Sequence, residues 1–143
     1  MTPVPTLEDL PGWARGLLED QRVGRLGLID DAGRPRVLPV TFAVHEAAVW
    51  TAVDNKPKRG PELARVRWLR ARPAATLVVD RYDDDWSQLA WVQLIGEMSI
   101  VEGPPSAAVL NALARRYPQY RGDPPPGPAL RLTVGRTVCW RAA

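Results

Sequence analysis

At 143 residues the chain has the length of one globular domain with a sizeable core, too short for two independent ones. Its 15 prolines and 11 glycines forecast many turns, and the balance of 45% apolar to 24% charged residues is that of an ordinary folded protein. The single Cys139 and single His45 exclude an internal disulfide and a cysteine- or histidine-rich metal centre, and a net charge of +3 is too small to point to nucleic acid without a clustered basic face.

The opening MTPVPTLEDLPGW has no basic segment followed by an apolar one, and no apolar run approaches the roughly 20 residues a membrane helix needs. The expectation is a cytoplasmic protein with no membrane partner. In TLEDLPGWARGLLEDQ, Thr6 as a cap and Leu10, Trp13 and Leu17 at spacings of three and four predict a short leading helix. RVGRLGLI, RVLPVTFAV and AVWTAV follow as β-type runs separated by hairpin-compatible DDAGRP and HEA, and predict a three-stranded meander. Gly60 and Pro61 suit the start of a basic helix that Pro73 stops, spanning 61–72, with Leu63, Val66 and then Leu69 or Arg70 at helical spacing. AATLVVDRY and LAWVQLIGEMSIVE predict a long hairpin with DDDWSQ at its tip. SAAVLNALARRY predicts a helix capped by Ser106, with Val109, Leu110 and Leu113 buried. PQYRGDPPPGP reads as a loop, and ALRLTVGRTVCW as two further short strands. The sum is one domain, residues 1–143, with an antiparallel barrel of α+β character rather than a doubly wound sheet.

The chain uses 17 arginines but only two lysines, Lys56 and Lys58, and both fall in NKPKRG before the basic helix. Charge runs are usually solvated turns. The alternative has a mechanism: a helix start offers unpaired N–H groups and partial positive charge, and an ammonium adapts to a tetrahedral phosphate better than a planar guanidinium does. Arg65, Arg67, Arg70 and Arg72 either extend that field or lie over apolar surface. The three carboxylates of DDDW diverge at a hairpin tip with no second oxygen-rich segment, so no metal site is expected. With one histidine, in a turn, no serine or threonine has a plausible base, which argues against hydrolase chemistry. The absence of GxGxxG and P-loop patterns removes the usual dinucleotide and nucleoside triphosphate cradles.

GRLGLID with AGRPRVLPVTF, then VWTAVDNKPKRGPELARVRWLRARPAATLVVDRYDDDW and LAWVQLIGEMSIVEG, together resemble the pyridoxamine 5′-phosphate oxidase-like split β-barrel proteins. The likeness is greatest to their actinobacterial coenzyme F420-dependent branch and covers about positions 22 to 103. It implies a split antiparallel β-barrel of the FMN-binding type with flanking helices, and a homodimer whose cofactor grooves lie between protomers. By position, Pro39, Val40 and Thr41 would run beside the isoalloxazine-like ring. Thr51, Lys56, Lys58 and Arg59 would hold the phosphate end, and Trp86 and Trp91 would reach in from the second protomer. Gln93 and Ile95 stand where relatives often carry basic side chains, and Ala90 where they carry a second aromatic, which would shift contact with the charged tail onto Arg65, Arg67 and Arg72.

The resemblance implies a reductase passing a hydride from reduced coenzyme F420 to an unsaturated or quinone-like small molecule. Such an enzyme needs alignment and exclusion of water more than an acid or base of its own, in keeping with a chain that has no evident catalytic cluster. FMN-dependent chemistry on the same barrel, or a protein that binds a flavin, deazaflavin or haem-like ligand without turnover, are the alternatives.

Overall fold

The computed structural model describes residues 2–4, 7–53 and 63–143. Strand β1 (Thr2–Val4) is followed by helix α1 (Gly12–Asp20) and the strands β2 (Gly24–Ile29), β3 (Pro35–Val40), β4 (Ala43–His45) and β5 (Ala48–Ala52). Helix α2 (Ala64–Ala71), the hairpin of β6 (Ala74–Arg81) and β7 (Ala90–Val101), and helices α3 (Ala107–Arg116) and α4 (Gln119–Gly122) lead to β8 (Ala129–Arg141). All strand pairs are antiparallel, in the order β3-β2-β6-β7-β8-β5-β4, with β1 also on β8. This is the α+β antiparallel architecture with flanking helices that the sequence led one to expect.

The connection between β3 and β4 explains why the sheet curls. These strands stand at opposite ends of the pairing order, yet only Thr41 and Phe42 separate them in the chain. A flat seven-strand sheet would hold its edges about 29 Å apart, whereas two intervening residues span roughly 10 Å. The sheet therefore closes on itself, and the seam between β3 and β4, which carries no pairing, is the split in the barrel. The three-stranded meander expected from the sequence is corrected here: RVLPVTFAV is two strands that pair with different partners, β3 with β2 and β4 with β5. Its β-type run is continuous because Phe42, fully buried, is apolar like its neighbours while its backbone leaves the ladder.

Curvature is completed along β7 and β8. ALRLTVGRTVCW forms one strand of 13 residues instead of two, because Gly135 is accommodated as a bulge where the register shifts between Ile95 and Gly96. The β6–β7 hairpin forms as expected, and burial alternates along β7 with Val92, Leu94 and Met98 inside. Ser106 caps α3 by accepting from the Val109 N–H, although Ala112 joins Val109 and Leu113 inside while Leu110 is only half-buried. Part of the expected 118–128 loop forms the one-turn α4. The expected cap Thr6 lies outside the described residues; α1 starts after Pro11 and buries Ala14, Leu17 and Leu18.

The main core gathers Leu17, Leu26, Val66, Leu69, Leu77, Val92 and Leu94 between the curled sheet and helices α1 and α2. Each such side chain contributes about 1.5–3 kcal/mol by leaving water. A smaller cluster of Ala43, Ala52, Val109, Ala112 and Leu113 lies under α3, with Trp50, Tyr117 and Tyr120 against it. Asp30 closes the β2–β3 turn: its carboxylate accepts from the N–H groups of Ala32 and Arg34, each at 2.9 Å, and lies 3.4 Å from Arg36. The Arg34 N–H first, then that of Ala32 and the Arg36 guanidinium, hold its carboxyl below the ordinary aspartate value against the opposing effect of burial. No helix among the described residues is long and apolar enough to cross a membrane.

Candidate functional site

A cavity of about 200 Å3 opens at the barrel's split, lined by Val23, Pro39, Val40, Thr41, Thr51, Ala52, Arg65 and Tyr120. Its walls follow from the topology. Pro39 and Val40 end β3, Thr41 begins the crossing, Thr51 and Ala52 end β5, and Arg65 lies in the first turn of α2. Val40 belongs to the main core and Ala52 to the smaller one, so the cavity sits where the two clusters meet. A second opening of about 320 Å3, lined by Leu38, Leu63, Ala64 and Trp68, shares Pro39 and Arg65 with the first. The first opening is of mixed polarity and the second mainly apolar, and Arg65 is the cation common to both.

Arg65 differs from its neighbours on α2. Arg67 meets Asp31 at 3.2 Å, Arg70 meets Glu102 at 2.5 Å, and Arg72 donates to the Asp30 carbonyl at 2.7 Å. Arg65, half-buried, has no acidic partner among the described residues and lines both openings. Its charge is therefore available to an anionic ligand. Thr51 is 4% exposed, and no described protein group pairs with its hydroxyl. It adds to the polar contacts that Thr41, Tyr120 and Arg65 offer in the same lining.

The crossing is held by two tyrosines that the sequence analysis left unassigned inside PQYRGDPPPGP and at the end of α3. The Phe42 N–H donates to the Tyr117 hydroxyl at 2.9 Å, and that hydroxyl faces the carbonyls of Arg22 at 2.9 Å and Phe42 at 3.0 Å. The hydroxyls of Thr41 and Tyr120 are 2.8 Å apart. The two phenol rings meet edge to face, 5.8 Å between centroids at 72°. Arg116 lies 4.7 Å over the Phe42 ring and 5.5 Å over that of Tyr117, and donates to the carbonyls of Glu19 and Gln21. The only local signal for these roles was a pair of tyrosines three residues apart; their partners are some 75 to 95 residues away.

Five of the residues singled out from the sequence, Pro39, Val40, Thr41, Thr51 and Arg65, are thus brought into one cavity. Lys56, Lys58 and Arg59 lie outside the described residues, as do Gly60 and Pro61; the described part of the basic helix begins at Ala64 after Leu63. Trp86 is 68% exposed at the tip of the β6–β7 hairpin, and Trp91 is half-buried opposite Asp80 and Trp140. Neither lines the cavity.

The remaining chemistry is sparse. Cys139 is buried, and burial pushes its thiol up, so it stays protonated at neutral pH and is no nucleophile. His45 ends β4, and its Nε2 is 3.6 Å from the Glu46 carboxylate across the hairpin turn. Among the described residues no three His, Cys, Asp or Glu side chains gather as a metal would require. The polar residues that line the two openings are Thr41, Thr51, Tyr120 and Arg65.

Residues 10–139 match the family model described as pyridoxamine 5′-phosphate oxidase. Among solved structures, a conserved hypothetical protein from Mycobacterium tuberculosis superposes with a TM-score of 0.71 at 20% identity, covering 96% of this chain and 89% of that one. A heme binding protein from Mycobacterium smegmatis gives 0.66 at 20% identity, covering 92% of this chain and 59% of its own. A FAD-binding protein from Mesorhizobium loti gives 0.64 at 19% identity, with both chains covered completely. At such identities the likeness is one of fold. No curated protein matches the chain.

Proposed function

The chain belongs to the pyridoxamine 5′-phosphate oxidase family, and from that premise we propose that it is an oxidoreductase using coenzyme F420, bound in the groove at the barrel's split. One observation carries the reading: a mixed cavity beside a mainly apolar one, with a partly buried guanidinium that has no acidic partner among the described residues where the two meet. A planar ring system needs the apolar walls, and a phosphate-bearing or polyanionic tail needs the cation.

The residues present fit such a ligand. Pro39 and Val40 offer an apolar edge beside the ring, Thr41 and Tyr120 offer hydroxyl contacts, and Thr51 offers one toward the phosphate end. The segment 54–62, with Lys56, Lys58 and Arg59, joins Ala52 to Arg65 in the chain, and both of those residues line the cavity. Those three cations are proposed to bind the phosphate, with Arg65 beside them. When bound, the deazaflavin supplies the hydride-carrying atom. The protein's share is to align the acceptor and keep water from the ring.

An opening of 200 Å3 falls below the roughly 300–1,000 Å3 of ligand pockets that bury their occupant. A second wall completes it in the proposed homodimer, in which Trp86 and Trp91 of one protomer close over the groove of the other. The exposure of Trp86 and of Val37, each 68%, supports that reading.

FMN is the second candidate, favoured by a family model whose name is that of a pyridoxamine-phosphate oxidase. Titrating the purified protein with F420 and FMN in parallel, followed by tryptophan fluorescence, separates the two. Tighter binding of F420 is expected. Preference for FMN moves the assignment to the second candidate, and failure to bind either removes both.

A further inference from the structure

The place where the barrel splits poses a backbone problem that its neighbouring strands cannot solve. Phe42 is 0% exposed, yet it belongs to neither β3 nor β4, so its N–H and C=O have no ladder partner. The Tyr117 hydroxyl stands in for the missing strand. It accepts from the Phe42 N–H at 2.9 Å and lies 3.0 Å from the Phe42 oxygen, close enough for its own proton to be shared with that carbonyl or with Arg22. Arg116, stacked on both rings and bound to the carbonyls that end α1, keeps the tyrosine in place. One residue upstream, Thr41 Oγ1 is 2.8 Å from the Tyr120 hydroxyl, and both line the cavity.

Two hydroxyls that share one hydrogen bond retain a single further O–H between them. Whichever of Thr41 and Tyr120 donates to the other, the acceptor's own proton is left to point elsewhere, and both residues line the cavity. We propose that Tyr117 and Tyr120 are positioning residues: they fix the Thr41–Phe42 crossing so that the Thr41–Tyr120 pair presents one directed donor to an acceptor atom on the edge of a planar ligand. A ring carbonyl or unprotonated ring nitrogen is the chemical class this donor recognises. The proposal rests on the reading of the groove as a cofactor site and adds residues outside the family likeness that first suggested it.

The test pairs a ligand-free measurement with a binding one. In hydrogen exchange without ligand, the Phe42 amide should be protected in the parent and exchange faster in Tyr117→Phe, while the amides of β6 and β7 keep their protection. In titrations with F420 and FMN, Tyr120→Phe and Thr41→Val should each weaken binding by about tenfold, as loss of one hydrogen bond implies, and the double variant no further. Unchanged protection at Phe42 overturns the role of Tyr117. Parental affinity in Tyr120→Phe, or losses that multiply in the double variant, overturns the shared donor. Should the parent bind neither ligand, the cofactor reading fails by itself, and exchange at Phe42 still decides whether Tyr117 holds the crossing. Should Tyr117→Phe not fold, the cycle at Thr41 and Tyr120, which breaks only one part-buried pair, decides the proposal.

Discussion

Arg65, Arg67, Arg70 and Arg72 fall within eight positions of one another, and their partners separate a ligand candidate from three structural ties. Arg67 and Arg70 reach carboxylates and Arg72 a backbone carbonyl, so each fastens α2 to the turn or strand beside it. Exposed pairs of this kind are worth about 0–1 kcal/mol, and their loss should leave ligand binding untouched. Arg65 has the groove in front of it. Arg65→Ala should lose a charge-assisted contact worth roughly 1.5–3 kcal/mol, a drop of about ten- to a hundredfold in cofactor affinity, measured by titration at low salt. Arg67→Ala serves as the control of equal charge. Equal affinity in the two variants would mean that the cation at the junction binds nothing. Sequence alone could not rank these four arginines, because the ranking depends on Asp31, Glu102 and the Asp30 carbonyl, which the fold brings in from distant strands and turns.

At the scale of elements, local pattern was legible wherever one strand or helix answers to one run of residues. The β6–β7 hairpin, the Ser106 cap and the apolar side of α2 were read from periodicity and capping chemistry. The pattern was silent on partners. Nothing in RVLPVTFAV marks the step at Thr41–Phe42 where the chain leaves one edge of the sheet for the other, and that step builds the candidate site. ALRLTVGRTVCW likewise reads as two short strands but is one long strand with Gly135 as a bulge inside it. Its opposite number is more demanding. A Cβ built on Gly96 would lie 1.9 Å from the Thr133 carbonyl oxygen, a backbone atom that cannot swing aside. Gly96→Ala should therefore destabilise the protein by about 2–3 kcal/mol in denaturant unfolding, whereas Gly27→Ala, with its nearest such contact at 3.6 Å, should cost much less. A small effect at Gly96 would mean that β7 and β8 separate more easily at the bulge than their close approach implies.

For the whole molecule, the closed sheet brings Pro39, Val40 and Thr41 from one edge against Thr51 and Ala52 near the other, and leaves the groove open on one side. A second copy of the chain is the expected cover. Sedimentation at micromolar concentration should give one species of twice 15.8 kDa, and a stable monomer that binds cofactor would remove Trp86 and Trp91 from the site. The central claim is that the ligand occupies the barrel's split. A different cavity of about 240 Å3, lined by Leu7, Leu18, Val44 and Ala47, provides the contrast. Backbone amide shifts followed by NMR during titration with F420, and with FMN in parallel, test the claim most directly. The largest changes are predicted at Val40, Thr41, Thr51, Ala52 and Arg65; changes centred instead on Leu18, Val44 and Ala47, with the first group unmoved, would contradict it.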